Sequence, residues 1–105
     1  MAINLNKENY TVEVEQSTLP VVIDVYATWC GPCQMMLPIF EEVSKELSDK
    51  YKFVKLNIDE SRELAFKFGI SSVPTFVFIK NGKISKETGY MNKEAFIQKI
   101  EELLG

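Results

Sequence analysis

Apolar residues along this chain fall into unbroken runs and helically spaced stripes, and the two alternate. The run Val21-Val22-Ile23-Asp24-Val25-Tyr26-Ala27 is interrupted by a single carboxylate, which fits a strand covered on both faces. Lys52-Phe53-Val54-Lys55-Leu56-Asn57-Ile58 predicts another strand, parallel to the first by the right-handed crossover rule. Between them Met36, Phe40, Val43 and Leu47 recur at helical spacing as a core stripe, with Glu41, Glu42, Lys45 and Glu46 assigned to the side facing water. Pro38 falls inside this helix and is expected to kink it, because it cannot donate to the carbonyl of Gln34.

The remaining elements carry local signals. Ile3 and Leu5 predict a short first strand, and Asn6 can cap a helix to about Val14 with Tyr10 and Val14 on its buried side. Asp59 or Ser61 can cap a short helix that ends at Gly69. After the loop Ile70-Ser71-Ser72-Val73-Pro74, Thr75 to Lys80 reads as a strand. Asn81-Gly82 is a type I′ hairpin signal, so Lys83 to about Thr88 returns antiparallel. Gly89 ends that strand, Asn92 caps, and Phe96, Ile100 and Leu103 line a terminal helix. The order βαβαβαββα predicts an α/β sandwich around a mixed sheet.

Composition narrows the function. With 105 residues and 46% apolar content, residues 1–105 are expected to form one domain with its own core. A net charge of −3 argues against a nucleic-acid surface. No apolar run approaches a membrane span, and Met1-Ala2-Ile3-Asn4 lacks the apolar core of a signal peptide, so a cytoplasmic protein off the membrane is expected. The chain has no histidine, which leaves proton transfer to carboxylates, lysines, thiols or water.

The chemistry concentrates in Trp29-Cys30-Gly31-Pro32-Cys33, where the first strand of the pair gives way to the long helix and where the only two cysteines lie. If the helix opens at Cys30, its first N–H groups lack acceptors and point toward that sulfur, and the helix dipole favours the thiolate. Cys33, one turn further in, is expected on a face with Leu37 and Phe40 and therefore inward, with Cys30 outward. An exposed, activated thiol backed by a shielded one is the arrangement that thiol–disulfide exchange requires. Gly31 adds no bulk beside the attacking sulfur, and Pro32 suits a first helical turn. Zinc would need four ligands, which two cysteines without histidine do not supply. A purely structural bridge over so small a loop would contribute roughly 2 kcal/mol at most, against about 3 for fifteen residues. Two inert buried cysteines remain the blandest reading. Asp24, in the middle of an apolar strand, is expected to be buried with its pKa raised by desolvation.

The chain resembles the thioredoxin family over its whole length. The matching residues are Trp29-Cys30-Gly31-Pro32-Cys33, Asp24, Pro38, Lys55-Leu56-Asn57-Ile58-Asp59, Val73-Pro74-Thr75, Lys80-Asn81-Gly82 and Gly89. The resemblance implies the thioredoxin fold, a three-layer α/β/α sandwich with a central mixed five-stranded sheet and four flanking helices. It implies a general protein disulfide reductase, with Cys30 as nucleophile, Cys33 as resolving thiol, and Asp24 taking the proton of Cys33. Lys55 would lie near that carboxylate and could pair with it, directly or through water. Val73-Pro74 would be cis and lie against the cysteines, where the Val73 backbone could bond an extended client segment. Trp29, Gly31, Pro32, Val73, Pro74, Gly89 and Tyr90 would form the docking patch. No cofactor or metal would be bound. The redox-active disulfide Cys30–Cys33 would be recycled by a thioredoxin reductase, clients would be disulfide-containing proteins, and the chain would be a monomer. Gly-Pro between the cysteines resembles reductases more than oxidases or isomerases. An oxidase or isomerase, or a redox-independent scaffold using the same patch, remains an alternative. Tyr26, Gln34 and Tyr90 depart from the common pattern and bear on partner preference.

Overall fold

Residues 2–105 are described by a computed structural model. The strands are β1 (Ile3–Asn4), β2 (Val21–Tyr26), β3 (Lys52–Asn57), β4 (Thr75–Lys80) and β5 (Lys83–Thr88). They form one sheet in the order β1-β3-β2-β4-β5. β1 and β2 run parallel to β3, and β4 is antiparallel to both β2 and β5. Three α-helices, α1 (Gly31–Leu47), α2 (Arg62–Lys67) and α3 (Lys93–Leu104), and a π-helical segment (Thr11–Glu15) flank it.

Alternation along the central strands divides the core into two layers. Val21, Ile23 and Val25 of β2 pack with Val54, Leu56 and Val77 against Tyr10, Val14 and Ala65. Val22 points to the other side, where Phe53, Phe76 and Phe78 meet Met36, Phe40 and Val43 of α1 and Phe96, Ile100 and Leu104 of α3. Phe40 sits among the rings of Phe53, Phe76 and Phe96, with centroids 5.7, 6.5 and 5.9 Å away. Each such ring removed from water contributes about 1.5–3 kcal/mol. This is the three-layer α/β/α sandwich of the thioredoxin fold.

Local detail departs from the pattern in several places. Asn6 and Asn9 cap each other's backbone N–H groups (2.9 and 2.8 Å), but the turn that follows widens. Gln16 bonds back to Thr11 at 2.8 Å instead of one residue later, and three β-branched residues in Thr11-Val12-Glu13-Val14-Glu15 make a regular α-helix a poor choice there. Neither Asp59 nor Ser61 caps α2 through its side chain. The Ser61 hydroxyl instead donates to the Leu5 carbonyl at 3.1 Å. Along α3 the buried position is Leu104, four residues past Ile100, and Leu103 is half-buried. The hairpin turn behaves as its sequence requires: Asn81 and Gly82 have φ of 51° and 80°. The Asn92 side chain accepts the Ala95 N–H at 2.8 Å, capping α3. Among the described residues no helix is long and apolar enough to cross a membrane.

Candidate active site

At the C-terminal end of β2 the chain turns through Ala27, Thr28 and Trp29 into α1, with the Cys30 N–H bonded to the Ala27 carbonyl at 3.3 Å. Cys30 is the N-cap of α1 in an extended conformation, and its Sγ accepts the Cys33 N–H at 3.2 Å. A sulfur therefore occupies the place usually held by a capping oxygen, and one orphan donor of the first turn points at it. The sulfurs of Cys30 and Cys33 are bonded, with Cα atoms 5.2 Å apart. Gly31 and Pro32 open the helix at its surface, where the missing proline N–H leaves no acceptor wanting.

Both cysteines are buried in this oxidised state, 6% and 4% exposed, so the expected contrast in overall exposure is absent. Cys30 and Cys33 cluster with Ala27, and Val73 packs against them. The two differ instead in what they face. Cys30 lines a cleft of about 520 Å³, shared with Trp29, Gly31, Pro32, Ile58, Ile70 and Val73, and Cys33 does not. Leu37 is also not on the inward face with Cys33: it is exposed, and the buried row runs through Met36 and Phe40.

The opposite wall comes from the loop before β4. Val73–Pro74 is cis, and the Val73 carbonyl lies 3.7 Å from Cys30 Sγ. A bridged sulfur has no proton to donate, so this is a contact in the oxidised protein. The Thr75 hydroxyl holds the loop through the Ser72 carbonyl (2.8 Å) and the Thr88 hydroxyl (3.1 Å). Gly89, at φ 106°, donates its N–H to the Pro74 carbonyl at 2.8 Å. Gly89 and the exposed Tyr90 follow β5 beside Pro74 and do not line the cleft itself.

Trp29 is 68% exposed, unusual for the one tryptophan of a small protein, and its indole Nε1 donates to Asp59 Oδ2 at 2.9 Å. Gln34 folds back to donate to the Thr28 carbonyl at 2.8 Å, tying the turn to the first turn of α1. The Tyr26 hydroxyl reaches Asn4 Oδ1 at 3.0 Å, on the side of the sheet away from β4.

Between β2, β3 and α1 lies a trio of charged side chains, Asp24 and Lys55 buried and Glu41 half-buried. Asp24 is 1% exposed, and its Oδ1 has no hydrogen-bond partner. Its pKa is pushed up to about 7, foremost by loss of hydration, with Lys55 opposing the rise and Glu41 adding to it. Lys55 is Asp24's register partner on β3 and is also buried. Its Nζ makes no direct bond to Asp24 and pairs with Glu41 Oε2 at 3.2 Å. Glu41 thus leaves the water-facing side of α1, because an ammonium buried on the sheet beneath it attracts a carboxylate more strongly than solvent does.

Glu41 and Asp59 are the contributors that reading the chain missed. A signal existed for Glu41. A lysine inside Phe53-Val54-Lys55-Leu56 needs a buried anion, and Glu41 borders the buried row of α1 beside Phe40. Asp59 stood out only as a helix-cap candidate and as the last residue of a family-matching segment, with no site role assigned.

A disulfide that caps a helix at the end of a βαβ unit, facing a cleft walled by a cis-proline loop, defines a dithiol–disulfide oxidoreductase. The family profile described as Thioredoxin matches residues 1–102. The chain is 45% identical over 102 residues to the thioredoxin of Rickettsia bellii, covering 95% of this chain and 96% of that protein. It is 42% identical over 104 residues to the thioredoxin of Rickettsia prowazekii, covering 97% and 98%. With the chloroplastic thioredoxin Y of Oryza sativa it shares 44% over 92 residues, 87% of this chain and 55% of that protein. The chain belongs to the thioredoxin family, and its reaction is thiol–disulfide reduction.

Proposed function

We propose that this chain acts as a general protein disulfide reductase, with Cys30 as the attacking sulfur and Cys33 as the resolving one. The observation that carries the assignment is the Cys30–Cys33 bridge at the N-terminus of α1, with the Cys33 N–H aimed at Cys30 Sγ and Cys30 alone of the pair lining the cleft. In the reduced protein the same N–H would stabilise a Cys30 thiolate. That thiolate attacks one sulfur of a client disulfide, the other client sulfur leaves as a thiolate, and a mixed disulfide forms. Cys33 then gives its proton to Asp24 and attacks Cys30 Sγ, releasing the second client thiolate. Two electrons pass from the dithiol to the client, and the bridge is restored.

Asp24 suits the acceptor role because it lies on the sheet face covered by α1, the helix that carries Cys33, and has one oxygen without a partner. A carboxyl titrating near 7 is matched to proton transfer at neutral pH. Lys55 assists by offsetting the charge that appears on Asp24. Trp29, Gly31, Pro32, Val73 and Pro74 receive an extended client segment, and Gly89 and Tyr90 border the end of that path beside Pro74.

The electrons come from a thioredoxin reductase, with no bound cofactor, and the clients are disulfide-containing proteins. The protein works as a single-domain monomer in the cytoplasm, where a reducing pool keeps such a dithiol charged. The test is reduction of insulin disulfides with dithiothreitol as donor. Cys30→Ser is expected to fall to the uncatalysed rate, and Cys33→Ser, pre-reduced and mixed with insulin after dithiothreitol is removed, to accumulate a mixed disulfide with its client. A Cys30→Ser variant with wild-type turnover overturns the assignment.

A further inference from the structure

One ammonium and two carboxylates meet between β2, β3 and α1, and the ammonium bonds only one of them. Asp24 and Lys55 are cross-strand neighbours, so their side chains leave the sheet on the same face. Even so, Lys55 Nζ lies 3.2 Å from Glu41 Oε2, and Asp24 Oδ1 is left unpaired. Glu41 is itself held from the other side: its Oε1 accepts the backbone N–H of Ala2 at 3.1 Å. Both carboxylate oxygens of Glu41 are therefore engaged, one by the edge of the sheet and one by Lys55.

We infer that Glu41 is a positioning residue for Asp24: by holding the Lys55 ammonium, it leaves Asp24 as the surplus acid of the trio. With Asp24 protonated the trio is neutral. With Asp24 ionised it carries one uncompensated negative charge in an apolar layer, which favours the protonated form. Among the described residues no other titrating group offers compensation. The register partner of Asp24 on β4 is Phe76, and α3 contributes Phe96, Ile100 and Leu104 to this layer. Glu42 and Glu46 of α1 are turned to Lys93 on the surface, and Cys33 titrates only once the bridge is reduced. If Glu41 lost its charge, Lys55 would be free to turn to Asp24 Oδ1.

The catalytic consequence rests on the reading of Asp24 as proton acceptor; the positional claim does not. The test follows the Asp24 side-chain carboxyl by isotope-edited NMR across pH in the oxidised full chain, where no thiol titrates. Glu41→Gln is expected to lower the midpoint by about one pH unit, the effect of removing a like charge and gaining a cationic partner. Lys55→Gln is expected to raise it. In the Lys55→Gln background, Glu41→Gln should lose most of its effect, since the relay is gone. An unchanged midpoint in Glu41→Gln, even with a lower Tm, overturns the inference by reducing Glu41 to a structural anchor. A shift of equal size in both backgrounds overturns it too, because Glu41 would then act by its charge alone. A shifted midpoint with an unshifted pH profile for mixed-disulfide resolution upholds the inference and removes Asp24 from the proton path.

Discussion

Asp24→Asn should make the oxidised protein more stable in alkaline solution and leave it about as stable in acid. The folded pKa of Asp24, about 7, lies above its ordinary value of 3.8, so between those limits the native state keeps a proton that the unfolded state has released. Its contribution to stability is therefore complete below about pH 4 and lost as pH rises through 7. The rise spans roughly three decades of proton affinity, and at about 1.4 kcal/mol per decade the loss is about 4 kcal/mol. Because Asp24 is 1% exposed, solvent screening does little to reduce this figure. Asparagine cannot ionise, and any penalty for burying its amide, about 1–3 kcal/mol, is the same at every pH. The difference between wild type and variant isolates the ionisation. Urea unfolding of both oxidised proteins at about pH 4 and about pH 8.5 measures it, with unchanged m values as the control. The variant's relative stability should improve by about 4 kcal/mol between the two conditions. A difference that stays flat across that range would refute burial as the cause of the raised pKa.

Two further substitutions probe the frame that holds the site. Phe40→Ala, which removes the ring at the centre of Phe53, Phe76 and Phe96, should cost about 3–5 kcal/mol in denaturant unfolding, and a loss below about 1 kcal/mol would show that the layer can collapse around it. Asn92→Ala should cost about 1 kcal/mol and lower Tm by about 4–8 °C, and Asn92→Asp should retain most of the wild-type Tm because it keeps the acceptor for the Ala95 N–H.

Sequence alone determined what depends on neighbours along the chain. The apolar run around Asp24 places a strand covered on both faces, the Met36-Phe40-Val43 spacing places the face of α1, and Asn81-Gly82 places a hairpin whose two positive φ angles only such residues adopt easily. It also located the two cysteines at a helix start, because a helix's orphan N–H groups belong to its first turn wherever it sits. Tertiary structure decided what depends on residues far apart in the chain. Glu41 meets Lys55 across 14 positions, Trp29 meets Asp59 across 30, and the Val73 carbonyl meets the Cys30 sulfur across 43. Helical periodicity sends Glu41 to solvent because it counts angles around one axis and takes no account of a buried ammonium on the sheet below. The same limit applied to Asp24. Its burial was legible from the run of valines, but which carboxylate would receive the lysine depended on how α1 lies across β2 and β3.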